Sequence, residues 1–296
     1  MKNMEKIGYR IVGPNKHSAV KICSWTRNSL RGRGVCYKEK FYGIQAHRCL
    51  QMSPAVPFCT NNCLYCWRLR TATKPEWSGP ADDPDIILDE AIQAQRKLLQ
   101  GFAGNQEAQD KFYEAERPNQ VAISLDGEPT LYPKLNGLIS EVLKRKMTAF
   151  LVTNGTMPKV IENLTQPTQL YISLSAPNKE IHKKTCQPLL KDAWERLQKS
   201  ISFLQNFTCN TVIRLTLVKN LNMTKPDQYA KIIDKSNTKF VECKAYMCVG
   251  GSRKRLKYEQ MPSHEEIQTF AKQVAEHSGY KIKDEQKESR VVLLTR

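Results

Sequence analysis

Residues 59–66 read CTNNCLYC, three cysteines spaced C-x3-C-x2-C. Three thiolates so close in sequence can wrap a loop around one face of a [4Fe–4S] cube, which leaves the fourth iron without a protein ligand. Structural zinc is the alternative, but it normally takes four ligands from paired C-x2-C knuckles. Only Cys63 and Cys66 make such a pair, and no second knuckle follows at the usual distance. A further triplet lies upstream, Cys23, Cys36 and Cys49, with twelve residues between neighbours. It too would leave one iron open, this time for a second substrate, with three buried free thiols as the alternative. The other four of the ten cysteines, Cys186, Cys209, Cys243 and Cys248, sit in apolar contexts and read as small buried hydrophobes. In a reducing compartment such a set points to metal or catalysis rather than to disulfides.

The elements that must position these residues change character along the chain of 296 residues. Residues 1–58 carry eleven Lys and Arg against two acids and read as mostly irregular with short elements. An irregular stretch of this kind needs a staple, which a metal site supplies. After residue 80 helices and strands alternate. A helix with an acidic, proline-containing start at 82–85 is followed by strands in NQVAISL, TAFLVT, LYISLS, TVIRLTLV and FVECKAYMCV. Helices are expected over 133–146, 157–164, 192–205, 226–234 and 263–277, the last with a Ser263/Glu266 capping box. GYKIK and RVVLLTR are expected to close as a terminal hairpin. The alternation predicts a parallel sheet with helical crossovers, in about six strand–helix units against the eight of a complete barrel. The expected fold is α/β, a partial (β/α)6 TIM-like barrel that is open on one side to a large substrate. Residues 1–52 form a basic extension bearing the upstream triplet, and 53–296 form the catalytic core with C-terminal elements.

With 46 Lys and Arg against 29 Asp and Glu, the net charge is +17, which argues for a polyanionic partner, nucleic acid ahead of an anionic membrane. No apolar run approaches the ~18 residues that span a bilayer. The first twenty residues lack an apolar signal core, so a cytoplasmic protein is expected.

The CTNNCLYC spacing resembles the signature of the radical S-adenosylmethionine (radical SAM) superfamily. There the open iron chelates SAM, and one-electron reduction cleaves it to a 5′-deoxyadenosyl radical. The whole arrangement resembles the tRNA 4-demethylwyosine synthase family in its short archaeal form. The matching features are C-x12-C-x12-C, then C-x3-C-x2-C-W-R, DGEPT, TNG and a terminal ESRVVLL. The resemblance covers essentially the entire chain. It implies a lyase that condenses pyruvate with 1-methylguanosine beside the anticodon of tRNA-Phe. It also implies two [4Fe–4S] clusters, SAM, and an external flavodoxin- or ferredoxin-like electron donor. The chain is expected to act as a monomer.

By this resemblance Cys23, Cys36 and Cys49 hold the auxiliary cluster, and Cys59, Cys63 and Cys66 hold the SAM cluster. Lys38, two residues after Cys36, forms or assists a Schiff base with pyruvate, with Lys40 as its rival. Chelation of pyruvate by the auxiliary cluster is the other mode. Tyr65 occupies the position that packs on the adenine, and Gly127-Glu128 resembles the motif that binds the methionine amino group of SAM. Thr153, Asn154, Ser173, Ser175 and Arg214 lie in or after later strands, as ribose, carboxylate or substrate contacts or as ordinary structure.

The run SRKRLK, with Arg253, Lys254, Arg255 and Lys257, would be a solvated face in most proteins. The RNA substrate implied by the resemblance makes it a phosphate-binding patch. Arg27, Arg31 and Arg33 form a second such patch. Trp67 and Arg68 are candidates to stack on or position the guanine, with burial in the core as the alternative for Trp67. Two rival functions remain at this point. An RNA methylthiotransferase or methyltransferase would share Cys59, Cys63 and Cys66 but give pyruvate no role. A zinc-dependent RNA-binding protein would need no SAM.

Overall fold

The structure, a computed structural model, describes residues 2–68, 73–104 and 108–296. It divides into two compact units. The first comprises 1–58, 76–152 and 165–168, and the second comprises 59–75, 153–164 and 169–296.

The first unit is built on β1 (Arg10–Val12), β2 (Ser18–Val20), β3 (Cys49–Ser53), β4 (Gln120–Ile123) and β5 (Thr148–Thr153), adjacent in that order. β1, β2 and β3 pair antiparallel, whereas β3, β4 and β5 are parallel. The parallel strands are mostly apolar, and every residue of β4 is buried, as covering both faces of the sheet requires. The helices are α1 (Lys2–Lys6), α2 (Ser24–Leu30), α3 (Tyr37–Tyr42), α4 (Pro84–Leu99), α5 (Gln109–Ala115) and α6 (Leu135–Lys144). α4 starts where Pro84 follows an extended Asp83, so the missing proline N–H is one the first turn could not have used. It buries Ile87, Leu88, Ala91, Gln95 and Leu99 along one stripe. Each of the large aliphatic side chains contributes about 1.5–3 kcal/mol.

In the second unit the strand order is β6 (Gln169–Ser173), β7 (Asn210–Leu217), β8 (Phe240–Ala245), then β10 (Val291–Thr295) and β9 (Lys281–Gln286). β6, β7 and β8 are parallel; β10 runs antiparallel to both β8 and β9 and closes the expected hairpin. Its helices are α7 (Pro158–Glu162), α8 (Lys179–Cys186), α9 (Ala193–Ser202), α10 (Pro226–Ser236) and α11 (His264–Glu276). The capping box of α11 forms as expected, with Glu266 N–H donating to Ser263 Oγ at 3.2 Å and Ser263 N–H to Glu266 Oε2 at 2.7 Å. α11 packs on β8, β9 and β10.

The parallel strands number three in each unit among the described residues, matching the expected six strand–helix units. The N-terminal region is more ordered than its sequence suggests, because β1, β2 and β3 join the first unit's sheet. The boundary expected at 52–53 falls inside β3. α5 and α8 were not foreseen. Both are short, but α8 carries a start signal in Asn178, whose Oδ1 accepts from Ile181 N–H at 3.1 Å.

Candidate active site

The CTNNCLYC loop belongs to the second unit and is strapped by its backbone. Cys59 N–H donates to Lys74 O at 2.9 Å, Asn62 N–H to Cys186 O at 3.0 Å, Leu64 N–H to Thr185 O at 2.9 Å, and Leu189 N–H to Thr60 O at 2.8 Å. Three of these four bonds tie the loop to the end of α8 and the residues just after it. The loop's shape therefore rests on main-chain partners, and the three half-buried thiols are not needed as props. Asn154, at the end of β5, donates from Nδ2 to Thr60 Oγ1 at 2.8 Å and lies 3.9 Å from Cys59 Sγ. Thr156 Oγ1 donates to Asn154 Oδ1 at 2.7 Å. Asn154 thus orients the first ligand-type cysteine, while Thr153 Oγ1 accepts from Gly155 N–H at 3.1 Å and closes the turn. The Tyr65 hydroxyl donates to Ser175 Oγ at 2.8 Å. Burial, with the Cys63 thiol beside it, holds the Tyr65 pKa well above its usual range, so the phenol stays a neutral donor.

The upstream triplet belongs to the first unit. Cys23 and Cys36 are the N-caps of α2 and α3, neither spending its side chain on a cap hydrogen bond, and Cys49 opens β3. Cys23, Cys36 and Lys38 lie near enough to Cys49 to act electrostatically on its thiol. Burial of the sulfur, reinforced by Cys23, pushes Cys49 up to about 12. Two glutamines frame it. Gln120, opposite Cys49 in the parallel register, donates from Nε2 to Cys49 Sγ at 3.5 Å, and Gln95 Nε2 donates to Cys49 O at 3.3 Å. Lys38 is buried at 8% exposure with its Nζ 5.1 Å from the centre of the Phe150 ring, whereas Lys40 is exposed.

Among the described residues no three His, Cys, Asp or Glu side chains converge closely enough to share one ion. Thiolates on separate corners of a [4Fe–4S] cube stand further apart than ligands of a single zinc ion. The donor set of each triplet, three cysteine thiols, is chemically that of a [4Fe–4S] cube with one iron left open.

Gly127 has φ of +66°, and a Cβ there would collide with the carbonyl oxygens of Ala55 and Phe58, so only glycine fits this turn. Beside it, Glu128 N–H donates to Phe58 O at 2.7 Å. The Glu128 carboxylate is buried, and its Oε1 accepts from Thr130 N–H at 3.1 Å and Thr130 Oγ1 at 2.6 Å.

Ser173, Arg214 and Glu242 stand in register across β6, β7 and β8. Arg214 Nε donates to Glu242 Oε2 at 2.8 Å, and its guanidinium lies 4.5 Å from the centre of the Tyr171 ring. The expected ligand contact at Arg214 is therefore first an ion pair that neutralises a fully buried carboxylate. Sequence reasoning missed Glu242; the signal was an acid in the middle of the apolar strand FVECKAY.

Arg27, Arg31 and Arg33 are exposed in the first unit, Arg27 donating to Ser24 Oγ at 3.3 Å and Arg31 lying over Phe102. Arg253, Lys254 and Lys257 are exposed in the second unit. Arg255 departs from them. It is turned inward, with Nε donating to Leu64 O at 3.0 Å and Nη2 to Cys66 O. Trp67 is half-buried, with the Arg68 guanidinium 4.9 Å from its ring centre. No helix among the described residues is long and apolar enough to cross a membrane.

Residues 53–233 match the family model of the radical SAM superfamily, and residues 235–296 match that of wyosine base formation. The chain is 48% identical to S-adenosyl-L-methionine-dependent tRNA 4-demethylwyosine synthase of Pyrococcus abyssi, over 97% of this chain and 86% of that one. It is 38% identical to the protein of that name from Methanocaldococcus jannaschii, over 99% and 94%. A solved structure of TYW1 with a lysine-pyruvate adduct bound superposes with a TM-score of 0.89 at 38% identity, covering 99% of this chain and 94% of that one.

Proposed function

The chain belongs to the S-adenosylmethionine-dependent tRNA 4-demethylwyosine synthase family, and from that premise we propose that it condenses pyruvate with 1-methylguanosine next to the anticodon of tRNA-Phe. The product is the tricyclic base 4-demethylwyosine, and the reaction class is a carbon–carbon bond-forming lyase. The cluster held by Cys59, Cys63 and Cys66, with SAM, supplies a primary alkyl radical able to take hydrogen from a methyl group, which no acid or base could do. Tyr65, Gly127, Glu128 and Ser175 serve SAM, with Thr153, Asn154, Ser173 and Arg214 supporting it or the substrate.

Lys38 handles pyruvate. Its neutral amine adds to the keto carbon, and loss of water gives an imine. Lys38 is buried, whereas its rival Lys40 is exposed. The methyl-derived carbon radical of the substrate attacks the imine carbon. The carbon–carbon bond to the carboxylate then breaks and carries the unpaired electron away as a carbon dioxide radical anion. The guanine amino group displaces the Lys38 amine as the third ring closes. The observation that carries this reading is Lys38, buried beside the Cys49 thiol. The lysine-pyruvate adduct in a similar protein supports it.

The reading extends to a second [4Fe–4S] cluster on Cys23, Cys36 and Cys49, carried by the 1–52 segment. It extends also to a flavodoxin- or ferredoxin-like donor, a monomeric chain and a cytoplasmic location. Arg253, Lys254 and Lys257, with Arg27, Arg31 and Arg33, supply phosphate contacts, and Trp67 and Arg68 supply a stacking surface. Iron and sulfide per chain after anaerobic reconstitution test the two-cluster reading. About eight irons are expected; about four would remove the auxiliary cluster.

A further inference from the structure

The segment 250–256, in the part of the chain that matches wyosine base formation, closes on the cysteine loop of the radical SAM part. Three independent contacts join them, all within the second unit. Gly251 N–H donates to Trp67 O at 2.7 Å. The fit is so close that a Cβ at Gly250 would strike the Trp67 carbonyl, and one at Gly251 the Arg68 carbonyl. Leu64 and Tyr65 pack on the apolar cluster of Val218, Tyr246 and Leu256. Arg255 then spans the ligand pair, donating to Leu64 O at 3.0 Å and to Cys66 O.

Two carbonyls gripped by one guanidinium fix the backbone on both sides of Tyr65, between Cys63 and Cys66. The same group sets a permanent positive charge against the main chain of a cluster ligand. Reduction adds one electron, and so one negative charge, to whatever those thiolates hold. A fixed cation nearby favours that step, and hydrogen bonding around the ligands tunes it. We infer that Arg255 is a positioning residue of the SAM cluster, fixing the Cys63–Cys66 turn and raising the cluster's reduction potential, and is not a phosphate contact. This rests on the assignment of Cys59, Cys63 and Cys66 to that cluster.

The test compares Arg255→Gln, Arg255→Lys and the Arg253→Ala/Lys254→Ala pair in the full chain. The midpoint potential of the SAM cluster is read by EPR-monitored titration, and RNA binding is read as a function of salt. Arg255→Gln should move the midpoint to more negative potential and leave the salt slope unchanged. Arg255→Lys keeps the charge and loses the two-point grip. It should return the midpoint toward the native value, yet lose iron to a chelator faster than the native chain. The Arg253/Lys254 pair should keep the midpoint and lower the salt slope by one to two, at about 0.7–0.9 per phosphate contact. A native midpoint in Arg255→Gln, or a salt slope lowered by about one in that variant, would overturn the inference. Where Arg255→Gln retains no cluster, Arg255→Lys decides, and a native rate of iron loss there would overturn it. A native chain with no SAM-cluster signal would instead overturn the underlying cluster assignment.

Discussion

Replacing Cys59, Cys63 and Cys66 together by Ala is expected to lower 5′-deoxyadenosine formation from SAM to the background of enzyme-free controls. With a second cluster on the upstream triplet, as proposed, iron per chain should fall from about eight to about four. The loop should survive the change. Its ties run through Cys59 N–H, Asn62 N–H and Leu64 N–H to carbonyls of Lys74, Cys186 and Thr185, none of which needs a thiol. Loss of cleavage would thus report lost chemistry rather than lost fold, checked by an unchanged thermal transition of the iron-free chains. Continued SAM cleavage by the triple variant would contradict the radical SAM assignment of this loop.

Lys38→Ala should retain both clusters, still bind tRNA and still release 5′-deoxyadenosine, while tricyclic base formation falls by at least about 100-fold. The separation follows from where Lys38 sits. It neighbours the Cys49 thiol of the first unit, and it is one of 46 cations, so its loss barely alters attraction to RNA. Its stem is buried and its Nζ lies over Phe150, so alanine also removes packing. Lys38→Met keeps most of that packing without the amine and should be equally inactive. Borohydride should trap labelled pyruvate on the native chain, and peptide mapping should place the label on Lys38. Label on Lys40, or full turnover by Lys38→Met, would refute the role. Lost turnover without trapping would transfer pyruvate binding to the auxiliary cluster.

The parallel core was legible because its strands are apolar runs and its helices carry start signals such as Pro84, Pro226 and the Ser263/Glu266 box. β1, β2 and the parallel strand β3 were not, since three to five residues are too few to show a period. At the site, residue type and spacing single out the two cysteine triplets, because ligation demands a residue type at a spacing. Lys38 depended on its distance in sequence from Cys36, and the structure adds the burial that separates it from Lys40. Partners across strands were not legible: nothing in TVIRLTLV says that Arg214 meets Glu242. Nor does a charge run carry direction. A 3-10 turn rotates successive residues by about 120°, so Arg253 and Lys254 can face water while Arg255 faces the cysteine loop.

If this chain joins pyruvate to 1-methylguanosine, the nucleoside it leaves in the tRNA carries the record. The reduced, reconstituted protein is incubated with SAM, carbon-labelled pyruvate and tRNA-Phe containing 1-methylguanosine. The tRNA is then digested and its nucleosides are weighed by mass spectrometry. The expected product is 4-demethylwyosine that carries label from the keto and methyl carbons of pyruvate and none from its carboxylate. A methylated or methylthiolated nucleoside without pyruvate label, or unaltered 1-methylguanosine alongside full SAM cleavage, would contradict it.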